Sequence, residues 1–133
     1  MAEKLKLEEA KVGDAIGPYR YKVTREMAAF AASDEMRSGP WYPGDGALAP
    51  STLTDNDYSL AYLEKYDPGE AIHTKAENHY VNPPLIGKEL TVTGTVSDRF
   101  NKRGKDFLVF ETTTRDEDGR EIVRSKNTVL ISL

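Results

Sequence analysis

The chain has no cysteine, only two histidines and no excess of basic residues, and each shortage removes a class of function. Without cysteine there is no disulfide scaffold, no thiol nucleophile and no thiolate metal site. His73 and His79 alone offer ring nitrogens, so a zinc enzyme is not expected and no metal is assigned. A net charge of −4, with basic residues spread among acidic ones, argues against nucleic acid as the main partner. No segment approaches the roughly 20 consecutive apolar residues that span a bilayer. The start, MAEKLKLEEAK, lacks the apolar centre of a secretion signal, so the expectation is a cytoplasmic protein with no membrane partner. At 133 residues the chain suits one domain, 1–133, built around a single core.

What the sequence does contain is one long stretch, ALAPSTLTDNDYSLAYLEKY, from Ala47 to Tyr66, that reads as a buried helix. Pro50 suits a first turn, Ser51 or Thr52 can cap, and Asp55 and Asp57 place negative charge near the positive end of the helix dipole. On a 3.6-residue period Leu53, Leu60 and Leu63 form the expected buried stripe, with Tyr58, Tyr62 and Tyr66 around the flank and back. Asn56 falls inside that stripe and Asp57 at its border. Either Asn56 is a satisfied amide pinning the helix to a strand, or Asn56 or Asp57 faces a ligand tunnel beside it.

Before that stretch, Met1 to Gly17 reads as a lead-in with a turn at Val12-Gly13-Asp14. Tyr19 to Val23 alternates as a half-buried strand. Thr24 stops it and can cap a short helix, Arg25 to about Ser33, whose apolar side is Met27, Phe30 and Ala31. Asp34 to Ala49 carries three glycines and two prolines and reads as a loop, ordered by Trp41 and Tyr42. After the breaker Asp67-Pro68-Gly69 come four extended runs, about Ala71–Val81, Glu89–Phe100, Asp106–Arg115 and Glu121–Ile131. Leu90, Val92, Gly94 and Val96 share one face of the second run and its threonines the other. One long helix followed by a four-strand antiparallel meander implies an α+β domain of hot-dog architecture, the sheet wrapping the helix. The open sheet edges favour dimers that pair edge to edge.

Two segments carry a family resemblance. VGDAIGPYRYKVTREMAAFAASDE resembles the start of the MaoC-like dehydratases, which include (R)-specific enoyl-CoA hydratases and hydroxyacyl dehydratases. AIHTKAENHYVNPPLIGKELTVTGTVSDRFNKRGKDFLVFETTTRDEDGREIV resembles the N-terminal dehydratase-domain branch of that family. The resemblance implies a hydratase or dehydratase acting on enoyl or 3-hydroxyacyl thioesters, with no cofactor beyond the coenzyme A or phosphopantetheine that carries the substrate. The family's hydratase motif is an aspartate with a histidine five residues later, in a D-x-N-P-x-H frame. The matching positions run from Asp34 to Gly39, so the aspartate is present and the histidine is absent.

Hydration of an enoyl thioester needs water activated at one carbon and a proton delivered at the next, work normally shared by a His/Asp pair. Asp34 alone serves as a base only with a pKa raised by burial. The resemblance therefore implies one half of a dimeric or two-subunit hydro-lyase, as a homodimer or beside a catalytic hot-dog subunit. The alternatives are a non-catalytic acyl-thioester binding module and a hot-dog thioesterase using Asp55 or Asp57. His73 and His79, six residues apart on one strand, are expected on the same face, with His73 lining the pocket or serving structure. Tyr42 is a further pocket candidate, and Gly46, Ala47 and Leu48 let backbone at the helix start approach a thioester carbonyl, unless this is an ordinary helix start. Lys102 and Arg103, in a hairpin tip, either meet the phosphates of the carrier or are simply solvated.

Overall fold

A computed structural model describes residues 3–31 and 48–131. Five strands form the main sheet: β2 (Ala15–Lys22), β4 (Ile72–Tyr80), β5 (Glu89–Lys102), β6 (Lys105–Asp116) and β7 (Glu121–Leu130). Two short strands, β1 (Leu5–Lys6) and β3 (Tyr66–Asp67), pair in parallel beside it. The helices are α1 (Arg25–Ala31) and α2 (Asp57–Leu63), and a four-residue 3₁₀ turn, Ser51–Thr54, precedes α2. Among the described residues no helix is long and apolar enough to cross a membrane.

The strand order is β2-β5-β6-β7-β4, antiparallel throughout. The hairpin turns fall where glycine and charge put them. Arg103 (φ 54°) and Gly104 (φ 79°) both take left-handed backbone between Lys102 and Lys105, which is the twist a tight hairpin requires. At the next turn Asp116 accepts from the backbone N–H of Asp118 and Arg120 and from the Arg120 guanidinium. The expected four-strand meander is only partly found, because β4 lies beside β7 and not beside β5. The connection from Val81 to Lys88 contains Pro83 and Pro84 and carries the chain across the sheet rather than turning it back. Leu85 in that connection forms an isolated backbone bridge with Leu48.

The expected continuous helix over 47–66 is broken. Ser51, Thr52, Thr54, Asp55 and Asn56 are short polar residues whose side chains compete with the helical hydrogen-bond ladder. The Thr54 hydroxyl donates to the Ser51 carbonyl, and Asn56 (φ −102°, ψ 12°) leaves the helical region before α2 begins. Restarting at Asp57 also turns the helix, so the buried face is Asp57, Tyr58, Ala61 and Tyr62, not the leucines. Leu53, Leu60 and Leu63 are only half-buried. Aromatic stacking decides this orientation: Tyr62 lies on Phe110 with ring centroids 4.8 Å apart and planes 4° from parallel, and Tyr58 packs against both.

α2 rests on β2, β5 and β6. Beneath it lie Val92 and Val96 of β5 and Leu108 and Phe110 of β6, in the alternation expected for β5. A second apolar cluster, Val23, Ala28, Ala49, Ile86, Leu90 and Ile122, sits where α1 meets the sheet. α1 differs from expectation on one point: Ala28 is its buried residue, while Phe30 is 93% exposed. Thr24 caps it as expected, its hydroxyl accepting from the Met27 N–H at 3.2 Å.

Gly94 sits in the inner row, opposite Thr112, where no side chain fits. A Cβ there would collide with the Glu111 carbonyl and come within 2.7 Å of the Thr112 methyl. Gly94→Ala is therefore expected to destabilise the fold by about 1–3 kcal/mol, read as a lower urea midpoint at unchanged slope.

Candidate functional site

The inner face of the sheet is not uniformly apolar. Across β6 and β7 the inward positions include Thr112, Thr114, Ser125 and Asn127, all at least nine-tenths buried. The first turn of α2 brings Asp57 over these residues, and Asp55 lies just before it at the end of the 3₁₀ turn. Asp57 is 1% exposed and accepts from the Tyr21 hydroxyl on one oxygen and from the Thr114 hydroxyl on the other, each at 2.7 Å. Asp55 accepts from the Tyr80 hydroxyl, and Ser125 donates to the Asn78 side-chain oxygen at 2.7 Å, so β4 is tied to both the helix entry and β7.

Burial pushes Asp57 up from the ordinary 3.8 to about 6, against the two hydroxyls that favour its charged form. Burial first and the Asp57 charge second raise Tyr21 well above the usual phenol range. A carboxylate near pH 6 has the basicity of a general base. Both of its oxygens are occupied, however, and neither faces solvent, so as built Asp57 clamps α2 to β2 and β6.

His73 lies at the other side of the same helical turn. Its ring centroid is 5.0 Å from that of Tyr58, and Nε2 is 2.9 Å from Asn127 Oδ1 and 3.0 Å from the Lys75 carbonyl. The Lys75 carbonyl can only accept, so Nε2 donates to it. Asn127 Nδ2, buried, has no hydrogen-bond partner among the described residues, at a cost of about 1–3 kcal/mol.

The two histidines do not share a face, contrary to expectation. β4 bulges between His73 and Lys75: His73 opposes Val129 and Lys75 opposes Thr128, so Thr74 is the extra residue. His73 lies on the α2 side of the sheet beside Tyr58, though itself exposed, while His79, opposite Arg124, lies on the outer side with Lys75 and Glu77. A one-residue insertion reverses every later side chain, and nothing in the sequence pattern marks it.

Of the remaining candidates, Asn56 is exposed at the entry to α2 and borders a groove of about 500 Å³ between α1 and the 3₁₀ turn, shared with Met27, Phe30 and Leu53. Exposed there, Asn56 is not buried within an apolar stripe. Leu48 is 43% exposed where its backbone bridges Leu85. Lys102 and Arg103 are exposed at the β5–β6 tip. Lys105, beside them, is nine positions along β6 from Thr114, roughly 30 Å, so the basic tip stands far from the Asp57 clamp. Asp34, Tyr42, Gly46 and Ala47 lie outside the described residues, as does the motif frame ending at Gly39. Tyr21, Thr114 and Asn127 are the partners that sequence reasoning missed. The only signal for them is polar residues at inward positions of otherwise apolar strands.

A five-stranded antiparallel sheet with the chain's central helix packed on its inner face defines the hot-dog class, as expected from the sequence. No family model matches the sequence, and no curated protein matches it. Solved structures do. A MaoC-like dehydratase from Rhodospirillum rubrum is 22% identical, over 96% of this chain and 97% of that one, with a TM-score of 0.72. The (R)-hydratase PhaJ1 from Pseudomonas aeruginosa is 16% identical, over 97% and 86%, with a TM-score of 0.77. The C-terminally truncated HadBC (3R)-hydroxyacyl-ACP dehydratase complex from Mycobacterium tuberculosis is 18% identical over 90% and 96%, with a TM-score of 0.69. This chain thus shares the fold of the MaoC-like dehydratases and (R)-hydratases across nearly its whole length.

The Asp57 clamp makes stability depend on pH in a defined direction. Because the folded pKa lies above the unfolded one, the contribution of this group is complete below about pH 3.8 and is lost as pH rises through about 6. Asp57→Asn removes that titration. The stability of wild type relative to Asp57→Asn is expected to fall by on the order of 2–3 kcal/mol between pH 4 and pH 7, measured by urea unfolding at each pH.

Proposed function

We propose that the chain is a subunit of a cytoplasmic hydro-lyase that acts on enoyl or 3-hydroxyacyl thioesters, the acyl group being carried on coenzyme A or phosphopantetheine. The observation that carries this reading is the apolar groove beside the start of α2, lined by Met27, Phe30, Leu53 and Asn56, in a hot-dog fold. Its walls suit an acyl chain, and Asn56 supplies a polar group at the rim. The likeness of fold to hydratases and dehydratases supports the same chemistry, although one architecture hosts several thioester reactions.

The Asp34 to Gly39 frame keeps its aspartate and lacks its histidine, so the reaction needs a second acid–base group from another subunit. Asp34 then acts as one member of the pair, with Tyr42, Gly46, Ala47 and Leu48 near the thioester, while the Lys102–Arg103 tip and His73 lie away from the groove of their own chain. The thioesterase alternative is weaker, since it needs an open carboxylate and both oxygens of Asp57 are engaged.

The test is hydration of crotonyl-CoA by the purified chain, alone and mixed with a hot-dog protein from a neighbouring gene that carries the D-x-N-P-x-H frame. The chain alone is expected to run on the order of 10²–10⁴-fold slower than the mixture, the usual contribution of one general acid or base. Ordinary enzyme rates from the chain alone would remove the need for a partner. Binding of crotonyl-CoA with no hydration in any mixture would leave an acyl-thioester binding module, and neither binding nor hydration would end the thioester reading altogether.

A further inference from the structure

The β5–β6 tip and the outer face beside it take no part in the groove or in the Asp57 clamp. Leu108 of β6 and Val129 of β7 face inward, so their strand neighbours Phe107 and Leu130 face outward. The register sets Phe100 of β5 beside Phe107, Phe107 beside Leu130, and Leu130 beside Ile72 of β4. One apolar row thus crosses four strands, roughly 14 Å at the usual strand spacing. Phe100 and Ile72, at its two ends, are 37% and 47% exposed. Stacking of Phe100 on Phe107, with ring centroids 5.0 Å apart, accounts for the two rings as a cross-strand pair. It does not account for Ile72, two strands further on and exposed at the edge of the sheet.

Basic charge gathers at the Phe100 end of the row. Lys102, Arg103 and Lys105 are exposed, and among the described residues none of them forms an ion pair. Asp106 is the only acid between Arg99 and Phe107, and it is already engaged, by Asn101 at 3.1 Å and by Arg99 at 3.6 Å. In a chain of net charge −4 the tip is a local patch of three unanswered cations beside exposed apolar surface.

We propose that this row and tip dock an amphipathic helix of a partner protein, with its apolar stripe on Phe100, Phe107 and Ile72 and its acidic residues over Lys102, Arg103 and Lys105. Three turns of helix are about 16 Å long, close to the length of the row, and apolar residues at i, i+4 and i+7 fall within it. The acidity follows from the charge of the tip, since only carboxylates answer three free cations without adding desolvated charge of the same sign. The width of the apolar surface favours a helix over a larger anionic surface. The next outward row, Asp98, Val109, Thr128 and Lys75, is polar at three of its positions, and Glu111 and Glu77 stand in the row after it, roughly 13 Å along the strands. A helix about 10 Å across covers the apolar row and stops short of those two acids. A flat anionic membrane would press on them as well, and a nucleic-acid backbone has nothing apolar to set against Phe100 and Ile72. The docking surface lies on the outer face and does not rest on the proposed reaction.

Fluorescence anisotropy tests the proposal with a labelled synthetic peptide of about 18 residues, long enough to hold a helix, that carries leucine at i, i+4, i+7 and i+11 and glutamate over its other face. Saturable binding to the wild-type chain is expected. Combined Lys102→Glu, Arg103→Glu and Lys105→Glu should weaken it by at least about tenfold, and Phe100→Thr with Ile72→Thr by at least about fivefold. The same peptide with lysine in place of glutamate should not bind. Circular dichroism confirms that each variant folds. No binding of the acidic peptide, equal binding of its lysine version, or binding indifferent to either set of substitutions overturns the proposal. So does tighter binding to vesicles of phosphatidylserine and phosphatidylcholine, or to a DNA duplex, than to the peptide.

Discussion

Two hydroxyl groups, from Tyr21 on β2 and Thr114 on β6, hold the Asp57 carboxylate beneath the first turn of α2, and the seating of that helix depends on them. A seven-residue helix is too short to be stable alone. It is fixed by what it touches: a buried carboxylate at its start, and the Tyr62–Phe110 stack one turn further on. The carboxylate is expensive to bury, so it settles the position of the helix only because both of its oxygens are satisfied. The apolar contacts supply attraction without direction, and the hydroxyl pair supplies the direction. The groove beside Asn56 and the contact of Tyr58 with His73 both follow from where that turn comes to rest.

Much of the fold was legible in the sequence because strand periodicity and turn chemistry are local. The alternation of Leu90, Val92, Gly94 and Val96 with threonines, and the turn residues from Asn101 to Gly104 and from Asp116 to Gly119, each need only a few residues to declare themselves. The errors came where a distant contact outweighed the local pattern. Leu53, Leu60 and Leu63 form a clean helical stripe, yet the helix turns its tyrosines inward, since Phe110 and His73 offer them ring surfaces that no window around residue 60 contains. Likewise β4 reads as the first strand of a meander, and only the two prolines and the Leu48–Leu85 bridge explain why it crosses to β7.

The candidate site was less legible than the fold. Asp57 and His73 stand out as polar residues in apolar settings, but their roles are set by Tyr21, Thr114 and Asn127, which lie 36, 57 and 54 residues away in sequence. The polar inner row of β6 and β7 is the feature that separates this sheet from a purely apolar one. It gives the space between α2 and the sheet hydrogen-bonding capacity at depth, including an amide nitrogen of Asn127 with no partner among the described residues.

The bulge at Thr74 has a consequence for how such a strand changes over generations. Because Thr74 is the extra residue, a strand that lost it would keep His73 opposite Val129 and Lys75 opposite Thr128 in an unbroken ladder, and the two histidines would stay on opposite faces. A residue can therefore be lost at the bulge at little cost to the ladder, whereas one lost anywhere else in β4 would reverse every side chain beyond it.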